Sequence, residues 1–221
     1  MRHHCKTAKT IKFVLEKKIK TIMQLEIEKY ANMTPSFDIE YGSAIDSLKA
    51  DSLVFFDVHD MFIEDFARLP SFAKCFYEMV TDNKIIPKQA EFCCEYIDKN
   101  IRNIMSDNSI SYGNKDCLCS GITARLHRTY PSLVRDLMFN LYVWNECRDV
   151  YAMYNIELDY KHGIDCLVEK DGLLFGLCLF TDTARSVYYR GAKKTVRHTE
   201  FDNVIMIEAP LNLDDAFVCG D

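Results

Sequence analysis

The chain has 221 residues, of which 48% are hydrophobic and 27% charged, and it contains only 8 Gly and 5 Pro. This balance is typical of a globular protein and excludes disordered, low-complexity and fibrous classes. The net charge of −6 argues against a generic nucleic-acid coat protein. No apolar run approaches the roughly 20 residues that a membrane span requires, and the N-terminus leads into a Lys-rich amphipathic stretch rather than a signal peptide. We therefore expect a soluble cytoplasmic protein with no membrane partner.

The N-terminal half is predicted to be mainly helical. Residues 5–31 place apolar side chains at helical spacing with lysines on the opposite face, which predicts a long amphipathic helix. The pattern leaves open whether this helix packs within the chain, against a second copy in a homodimer, or against another protein partner. Shorter helices are predicted from about Met61 to Arg68, after Pro70, and from Pro87, because proline suits the first turn of a helix.

The segment Asp57-Val58-His59-Asp60 permits two interpretations. Clustered Asp and His side chains after an apolar segment are typical of metal-dependent hydrolases, although the sequence shows no second cluster that would complete such a site. Alternatively, Asp57 or Asp60 is the N-cap of the helix that begins at Met61, because a carboxylate accepts hydrogen bonds from the first free N–H groups of a helix.

A loop is predicted over residues 106–120, where Gly113 and several polar residues lie. This loop predicts a division of the chain into a mainly helical region, residues 1–120, and an α/β domain, residues 121–221. A helix is then predicted to start at Tyr130-Pro131-Ser132.

Four short strands are predicted in the C-terminal region, over residues 150–158, 164–169, 173–181 and 203–208. Asp171-Gly172 lies between two apolar runs and predicts a β-hairpin. The predicted fold class is therefore α/β, with α+β as the alternative, and contains a mixed sheet with flanking helices.

Ten cysteines occur in the chain. Five of them lie in apolar segments, where a free thiol behaves as a small hydrophobic side chain; these are Cys75, Cys93, Cys147, Cys166 and Cys178. The pair in Cys117-Leu118-Cys119 is too tightly spaced for a zinc knuckle. We interpret the cysteines as reduced structural residues.

A basic run extends from Arg185 to His198 and contains five cations and no acid. Its side chains are candidates for binding nucleic-acid phosphates, with two tyrosines available to stack; the candidates are Arg185, Arg190, Lys193, Lys194, Arg197, Tyr188 and Tyr189. A second basic strip precedes it and consists of Arg125, His127, Arg128 and Arg135. The alternative is that the basic run is a solvated hairpin that serves solubility.

The predicted order of elements over roughly residues 130–208 is a helix, a three-stranded antiparallel meander with an acid, and a return to the sheet. This order resembles the core of the PD-(D/E)xK nuclease superfamily, which includes restriction and phage-defence enzymes. The resemblance implies a restriction-endonuclease-like mixed sheet. It also implies that an acid at the start of the second strand and an acid or Gln on the third hold Mg²⁺, while a Lys two positions further helps to activate water.

Asp165 of Gly163-Ile164-Asp165 matches the first acid of that family. Cys178 and Phe180 stand where the family has its second acid and its lysine, and neither is a suitable Mg²⁺ ligand. Other groups would have to replace them. We predict Asp165 and Asp159 as metal ligands and Asp165, Asp182 and Lys193 as catalytic residues, with Asp136 and Glu146 as further acids that could converge on the site.

Each acid also has a structural interpretation. Asp182 could cap a turn through its side chain, Asp136 next to Arg135 could be a surface ion, and Asp159 lies near a predicted turn. Asp165 could be a buried acid that is paired within the protein.

Two functions remain open after the sequence is considered. The first is a Mg²⁺-dependent endonuclease, or nuclease-like effector, that acts on phosphodiesters of DNA or RNA. The alternative is a catalytically inactive module of the same fold that binds nucleic acid or a protein partner through residues 185–198.

Overall fold

Helices and a four-stranded mixed sheet make up the part of the chain that the structure describes. The structure is a computed structural model, and it describes residues 38–56, 59–66, 69–106, 115–181 and 204–211. The helices are α1 (Tyr41–Lys49), a π-helical turn (Phe62–Phe66), α2 (Phe72–Asn83), α3 (Gln89–Ser106), α4 (Lys115–Glu146) and α5 (Ile156–His162). The strands are β1 (Tyr151–Met153), β2 (Cys166–Lys170), β3 (Leu173–Thr181) and β4 (Val204–Leu211). This content confirms the general α/β or α+β class.

The helix starts follow the capping chemistry of the sequence. Asp60 Oδ1 accepts hydrogen bonds from the backbone N–H groups of Phe62 at 3.0 Å and Ile63 at 3.2 Å, so Asp60 is the predicted N-cap. The helix after Pro70 is confirmed as α2, which Ser71 caps through Lys74 N–H at 3.2 Å. The predicted helix 61–68 is shorter than expected, since its regular part is the π-helical turn.

The predicted start of a helix at Tyr130 and the predicted loop up to residue 120 are wrong, because α4 already begins at Lys115 and continues through Pro131. Proline has no N–H to donate to the carbonyl four residues earlier, which here belongs to His127. That carbonyl instead accepts a hydrogen bond from Gln89 Nε2 at 3.1 Å. A side chain from another helix therefore replaces the missing bond and lets the helix continue.

The strand predicted over residues 150–158 is also partly wrong. Strand β1 ends at Met153, and α5 follows because the Asn155 side chain accepts a hydrogen bond from Glu157 N–H at 2.8 Å. Gly163 ends α5 in the left-handed conformation, with φ of 66°. Asp159 therefore lies on a short helix beside the start of β2 rather than on the first strand.

The predicted hairpin between β2 and β3 is confirmed. Asp171 and Gly172 both have positive φ, 53° and 76°, which a two-residue hairpin turn requires and which Gly tolerates best. The strands lie in the order β1-β2-β3-β4; the first three pair antiparallel, and β4 pairs parallel to β3.

Helix α4 contacts both halves of the described structure. Its buried residues, among them Ile122, Tyr130 and Leu137, pack with α1, α2 and α3 in the largest core. Its C-terminal part packs through Val143 against Cys166 of β2. The division into residues 1–120 and 121–221 stays a prediction, and α4 runs across it. The predicted amphipathic helix 5–31 lies outside the described residues.

The cysteines whose side chains are described are free thiols, and Cys75, Cys93 and Cys166 are buried. Burial raises the pKa of Cys75 to about 11 and the pKa of Cys93 and of Cys166 to about 12. These thiols stay protonated at neutral pH, which fits their predicted structural role. No helix in the described ranges has the length and apolar character that a bilayer span demands.

Candidate active site

Asp165 lies immediately before β2, and its side chain accepts a hydrogen bond from the backbone of β3. Its N–H donates to Leu177 O at 2.9 Å, while its carboxylate Oδ2 accepts the N–H of Leu179 at 2.6 Å. Gly163 permits this approach because its left-handed conformation turns the chain out of α5 only two residues earlier. The Asp165 carboxyl is therefore fixed at the C-terminal end of β3.

The register of the sheet places two further residues beside Asp165. Cys166 pairs with Leu177, so Asp165, one residue earlier, lies opposite Cys178. Cys178 pairs in turn with Glu208 of β4. Since directly paired residues project from the same face of a sheet, Asp165, Cys178 and Glu208 form one row across three strands.

Asp136 on α4 forms a buried ion pair with its neighbour Arg135. The guanidinium donates to Asp136 Oδ1 through Nε at 2.8 Å and through Nη2 at 2.6 Å. Only 8% of the Arg135 side chain and 13% of the Asp136 side chain are exposed. The interpretation of Asp136 as a surface ion is therefore wrong, because α4 turns this residue toward the sheet.

Arg135 also joins α4 to the end of β3. Its Nη1 donates to Thr181 Oγ1 at 3.1 Å, and its Nη2 donates to Leu179 O at 3.1 Å. Leu179 is thus held from both sides, since its N–H is bonded by Asp165 and its carbonyl by Arg135. These contacts fix the point from which the chain continues toward the predicted basic run.

Asn140, one helical turn after Asp136, connects α4 to Asp165. Its Nδ2 donates to Asp136 O at 2.8 Å and to Asp165 O at 3.2 Å, and the residue is fully buried. The amide therefore sets the distance between the backbone of α4 and the start of β2.

Three carboxyl groups, those of Asp136, Asp159 and Asp165, act on one another electrostatically. Burial raises the pKa of the Asp165 carboxyl well above its usual range, and the charges of Asp136 and Asp159 raise it further. The Leu179 N–H and Arg135 oppose this shift. Burial also raises the pKa of Asp136 to about 7 against the opposing effect of Arg135, and Asp159 adds to the rise.

Two stacked tyrosines join the helical half to the segment after β1. The rings of Tyr77 on α2 and Tyr154 after β1 have centroids 4.1 Å apart. Burial raises the pKa of both hydroxyls, and the charges of Asp136, Asp159 and Asp165 raise both further. The three carboxyls therefore share one environment, to which the helical half contributes Tyr77.

The predicted site residues divide into two groups. The charges of Asp159 and Asp136 act on Asp165, whereas Glu146 is exposed at the end of α4; the assignment of Asp165 and Asp159 as metal ligands stays a prediction. Outside the described residues lie Asp182, Lys193 and the other members of the basic run, namely Arg185, Tyr188, Tyr189, Arg190, Lys194 and Arg197.

The second basic strip does not form a free phosphate-binding surface. Arg125 and Arg128 both pair with Glu64, and Arg125 also donates to Ile63 O. His127 is buried, with Nδ1 2.9 Å from Val54 O. Arg125, His127 and Arg128 therefore hold the helical half together, and buried Arg135 joins it to the sheet.

Sequence reasoning missed Asn140 and Glu208. Asn140 follows Asp136 by four residues and precedes Trp144 by four, a spacing that places all three on one helical face. Glu208 ends the apolar run of β4, but its neighbour in the sheet depends on a register that one sequence cannot supply. The spacing along α4 was thus the available signal.

No protein-family model, curated protein or solved structure matches this chain. The function is therefore inferred from the residues and their geometry.

Proposed function

We propose that the chain is a metal-dependent nuclease-like protein that acts on nucleic-acid phosphodiesters. The proposal rests on one observation: the bond from the Leu179 N–H fixes the Asp165 carboxyl at the end of β3, where the charges of Asp136 and Asp159 both act on it. A divalent cation relieves the repulsion within such a group, which makes a carboxylate cluster a favourable place for one.

The order and direction of the strands support a restriction-endonuclease-like core. A long helix precedes three antiparallel strands, and the fourth strand returns parallel to the third. Asp165 stands at the start of the second strand, and the backbone of the third strand lies within hydrogen-bonding distance of its carboxyl. The helix, the three-stranded meander and the acid at the start of its second strand are the features that carry the resemblance to PD-(D/E)xK nucleases.

Mg²⁺ requires oxygen ligands in near-octahedral geometry. Among the residues that the structure describes, no three His, Cys, Asp or Glu side chains lie close enough together to hold an ion unaided. Mg²⁺ is commonly bound through one or two carboxylates and keeps several waters. Asp165 and Asp159 are both partly exposed and fit this mode, and Glu208 is an additional acid in the same row of the sheet.

Each part of the site has a role under this proposal. When bound, the cation would polarise the phosphoryl oxygen and lower the pKa of a bound water. Asp165 and Asp159 would hold the cation, and Arg135 would keep Asp136 and the end of β3 in position. Asp182 and Lys193 remain the predicted catalytic partners downstream, and residues 185–198 remain the predicted phosphate contacts.

A cleavage assay tests the proposal. Plasmid, single-stranded DNA and RNA substrates are incubated with the wild type in Mg²⁺ or Mn²⁺. We expect cleavage that EDTA abolishes and that Asp165→Ala reduces by at least about 100-fold, because the mutant lacks the acid closest to β3. Asp149→Ala, which removes an exposed acid, is the matched control and should cleave like the wild type.

A catalytically inactive module is the second candidate, and two observations favour it. Arg135 already neutralises Asp136, and Cys178 stands opposite Asp165 where an oxygen ligand would be expected. If no metal supports cleavage, but fluorescence anisotropy shows nucleic-acid binding that Lys193→Ala/Lys194→Ala weakens, the inactive module is correct and the enzyme is not.

A further inference from the structure

A cleft of about 270 Å³ lies between α2 and the segment from Tyr154 to Ile156. Tyr77, Glu78 and Asp82 line it from one face of α2, and Tyr154 and Ile156 line it from the opposite side. Pockets that hold drug-sized ligands have volumes of roughly 300–1,000 Å³. The cleft therefore suits a smaller ligand.

The interior of the cleft is aromatic and aliphatic. The rings of Tyr77 and Tyr154 stack on each other with centroids 4.1 Å apart, and both residues are buried. Ile156 adds a half-buried aliphatic side chain. Such an interior accommodates the alkyl part of a ligand, and aromatic rings also attract cations.

The acids at the cleft are in an unfavourable electrostatic position. Glu78 and Asp82 are exposed and lie four residues apart on α2, so their like charges repel each other. Asp82 also lies in the last turn of α2, where the helix dipole disfavours a negative charge. A cation in the cleft would offset both effects.

Lys74 also lines the cleft, at the end away from Asp82. Its Nζ lies 3.8 Å from Glu78, and 68% of its side chain is exposed, so this ion pair is weak. Lys74 precedes Asp82 by eight residues, which corresponds to about 12 Å along the helix axis. None of the ion pairs found among the described residues includes Asp82. The end of the cleft at Asp82 is therefore open to the charge of a ligand.

The carboxyls of the candidate active site act in the same direction. Burial raises the pKa of the Tyr77 hydroxyl and of the Tyr154 hydroxyl, and the charges of Asp136, Asp159 and Asp165 raise both further. The negative charge of three acids thus reaches the two rings that line the cleft. The interior and the rim of the cleft therefore favour a ligand of the same sign, a cation.

We propose that this cleft binds a small organic cation, whose alkyl part lies on Tyr77 and Tyr154 and whose charge lies at Glu78 and Asp82. An alkylguanidinium is the best match, because its parallel N–H groups donate two hydrogen bonds to one carboxylate. Free alkylguanidines and the arginine side chains of peptides both supply this group. The inference does not depend on metal binding or on cleavage of nucleic acid.

An NMR titration of the ¹⁵N-labelled wild type with butylguanidinium tests the proposal. We expect the backbone amide signals of residues 74–82 and 154–156 to shift in a saturable way. Butylurea has the same shape without the charge, so it is the matched control ligand. It should bind about 5–10-fold more weakly, which is the expected contribution of two exposed ion pairs.

Glu78→Gln/Asp82→Asn tests the rim of the cleft. These substitutions keep the size of two exposed side chains and remove their charges, so the variant should fold and bind butylguanidinium about 5–10-fold more weakly. Glu95→Gln/Asp98→Asn is the matched control. It removes two acids from α3, and Glu95 forms an i, i+4 pair with Lys99 at 3.1 Å, the same kind of pair that Glu78 makes on α2. This control should bind butylguanidinium like the wild type.

A capped peptide, Gly-Gly-Arg-Gly-Gly, separates the two sources of the guanidinium. Tighter binding of the peptide than of butylguanidinium would identify arginine side chains as the ligand, and weaker binding would identify a free cation. Equal binding of butylurea, or unchanged affinity of Glu78→Gln/Asp82→Asn, would overturn the proposal. Shifts confined to residues outside the cleft would overturn it as well. Such a failure would leave the proposed metal site unaffected, because no metal ion takes part in the titration.

Discussion

At the scale of single residues, the central feature is a carboxyl that folding places in an unfavourable environment. Burial and the charges of Asp136 and Asp159 raise the pKa of the Asp165 carboxyl, and the Leu179 N–H and Arg135 oppose this shift. Proteins tolerate such an arrangement most often at functional sites, where a ligand compensates for it. Asp165 should therefore lower stability in the absence of an ion.

The pH dependence of stability tests this cost. Because the folded pKa of Asp165 is raised above its unfolded value, the folded protein binds more protons than the unfolded chain above about pH 4. The free energy of unfolding must then fall as pH rises, and Asp136, with its pKa raised to about 7, extends the fall toward neutrality. We expect the wild type to be less stable at pH 8 than at pH 5 in urea unfolding with EDTA present.

Asp165→Asn should reduce this dependence. Asparagine keeps an oxygen that can accept the Leu179 N–H but removes the charge, so the free energy of unfolding at pH 8 should be higher for the mutant than for the wild type. Asp149→Asn, at an exposed turn, should change neither the pH dependence of stability nor the stability at pH 8. A mutant that is less stable than the wild type at pH 8 would show that the carboxylate stabilises the fold.

Sequence reasoning identified part of this residue set. Asp165 could be predicted because its Gly-Ile-Asp context precedes an apolar strand, and Asp159 because an acid occurs close by. Glu208 could not be predicted, because its position beside Cys178 depends on the pairing of β3 with β4. The two paired residues are 30 positions apart in the sequence. Pairing of this kind leaves no local pattern in one sequence.

At the scale of elements, local signals predicted local structure. The Asp171-Gly172 turn was predicted correctly because two residues determine its geometry. The uninterrupted α4 was not, because the donor that replaces the missing N–H of Pro131 comes from Gln89 on another helix. The end of β1 was not predicted either, because the apolar pattern of residues 150–158 is typical of a strand. The Asn155 side chain instead caps a helix within that range.

The joint between α4 and β3 yields a prediction at this scale. Arg135→Met should lower the free energy of unfolding by roughly 3–5 kcal/mol, because it leaves Asp136 buried without its partner and releases Thr181 and Leu179 O. The double mutant Arg135→Met/Asp136→Leu should recover much of this loss, since it removes the unpaired acid. Urea unfolding of both single mutants and the double mutant measures the interaction energy.

Arg148→Met, at an exposed position after α4, is the control for the loss of an arginine and should have little effect. If the losses of the two single mutants simply add in the double mutant, Arg135 and Asp136 do not depend on each other.

At the scale of the whole molecule, the site is built where the helical half meets the sheet. The helical half supplies Tyr77, α4 supplies Asp136 and Asn140, and the segments next to β2 supply Asp159 and Asp165. The sequence predicted both halves, but the junction follows from packing between residues far apart in the chain.

Crystals of the protein soaked in Mn²⁺ offer the most direct measurement, because anomalous scattering locates the ion without reference to activity. The proposed function predicts an anomalous peak bound by the carboxyls of Asp165 and Asp159, and no peak in crystals of Asp165→Ala. An empty carboxylate site in Mn²⁺-soaked wild-type crystals would contradict the proposal that Asp159 and Asp165 hold a metal ion.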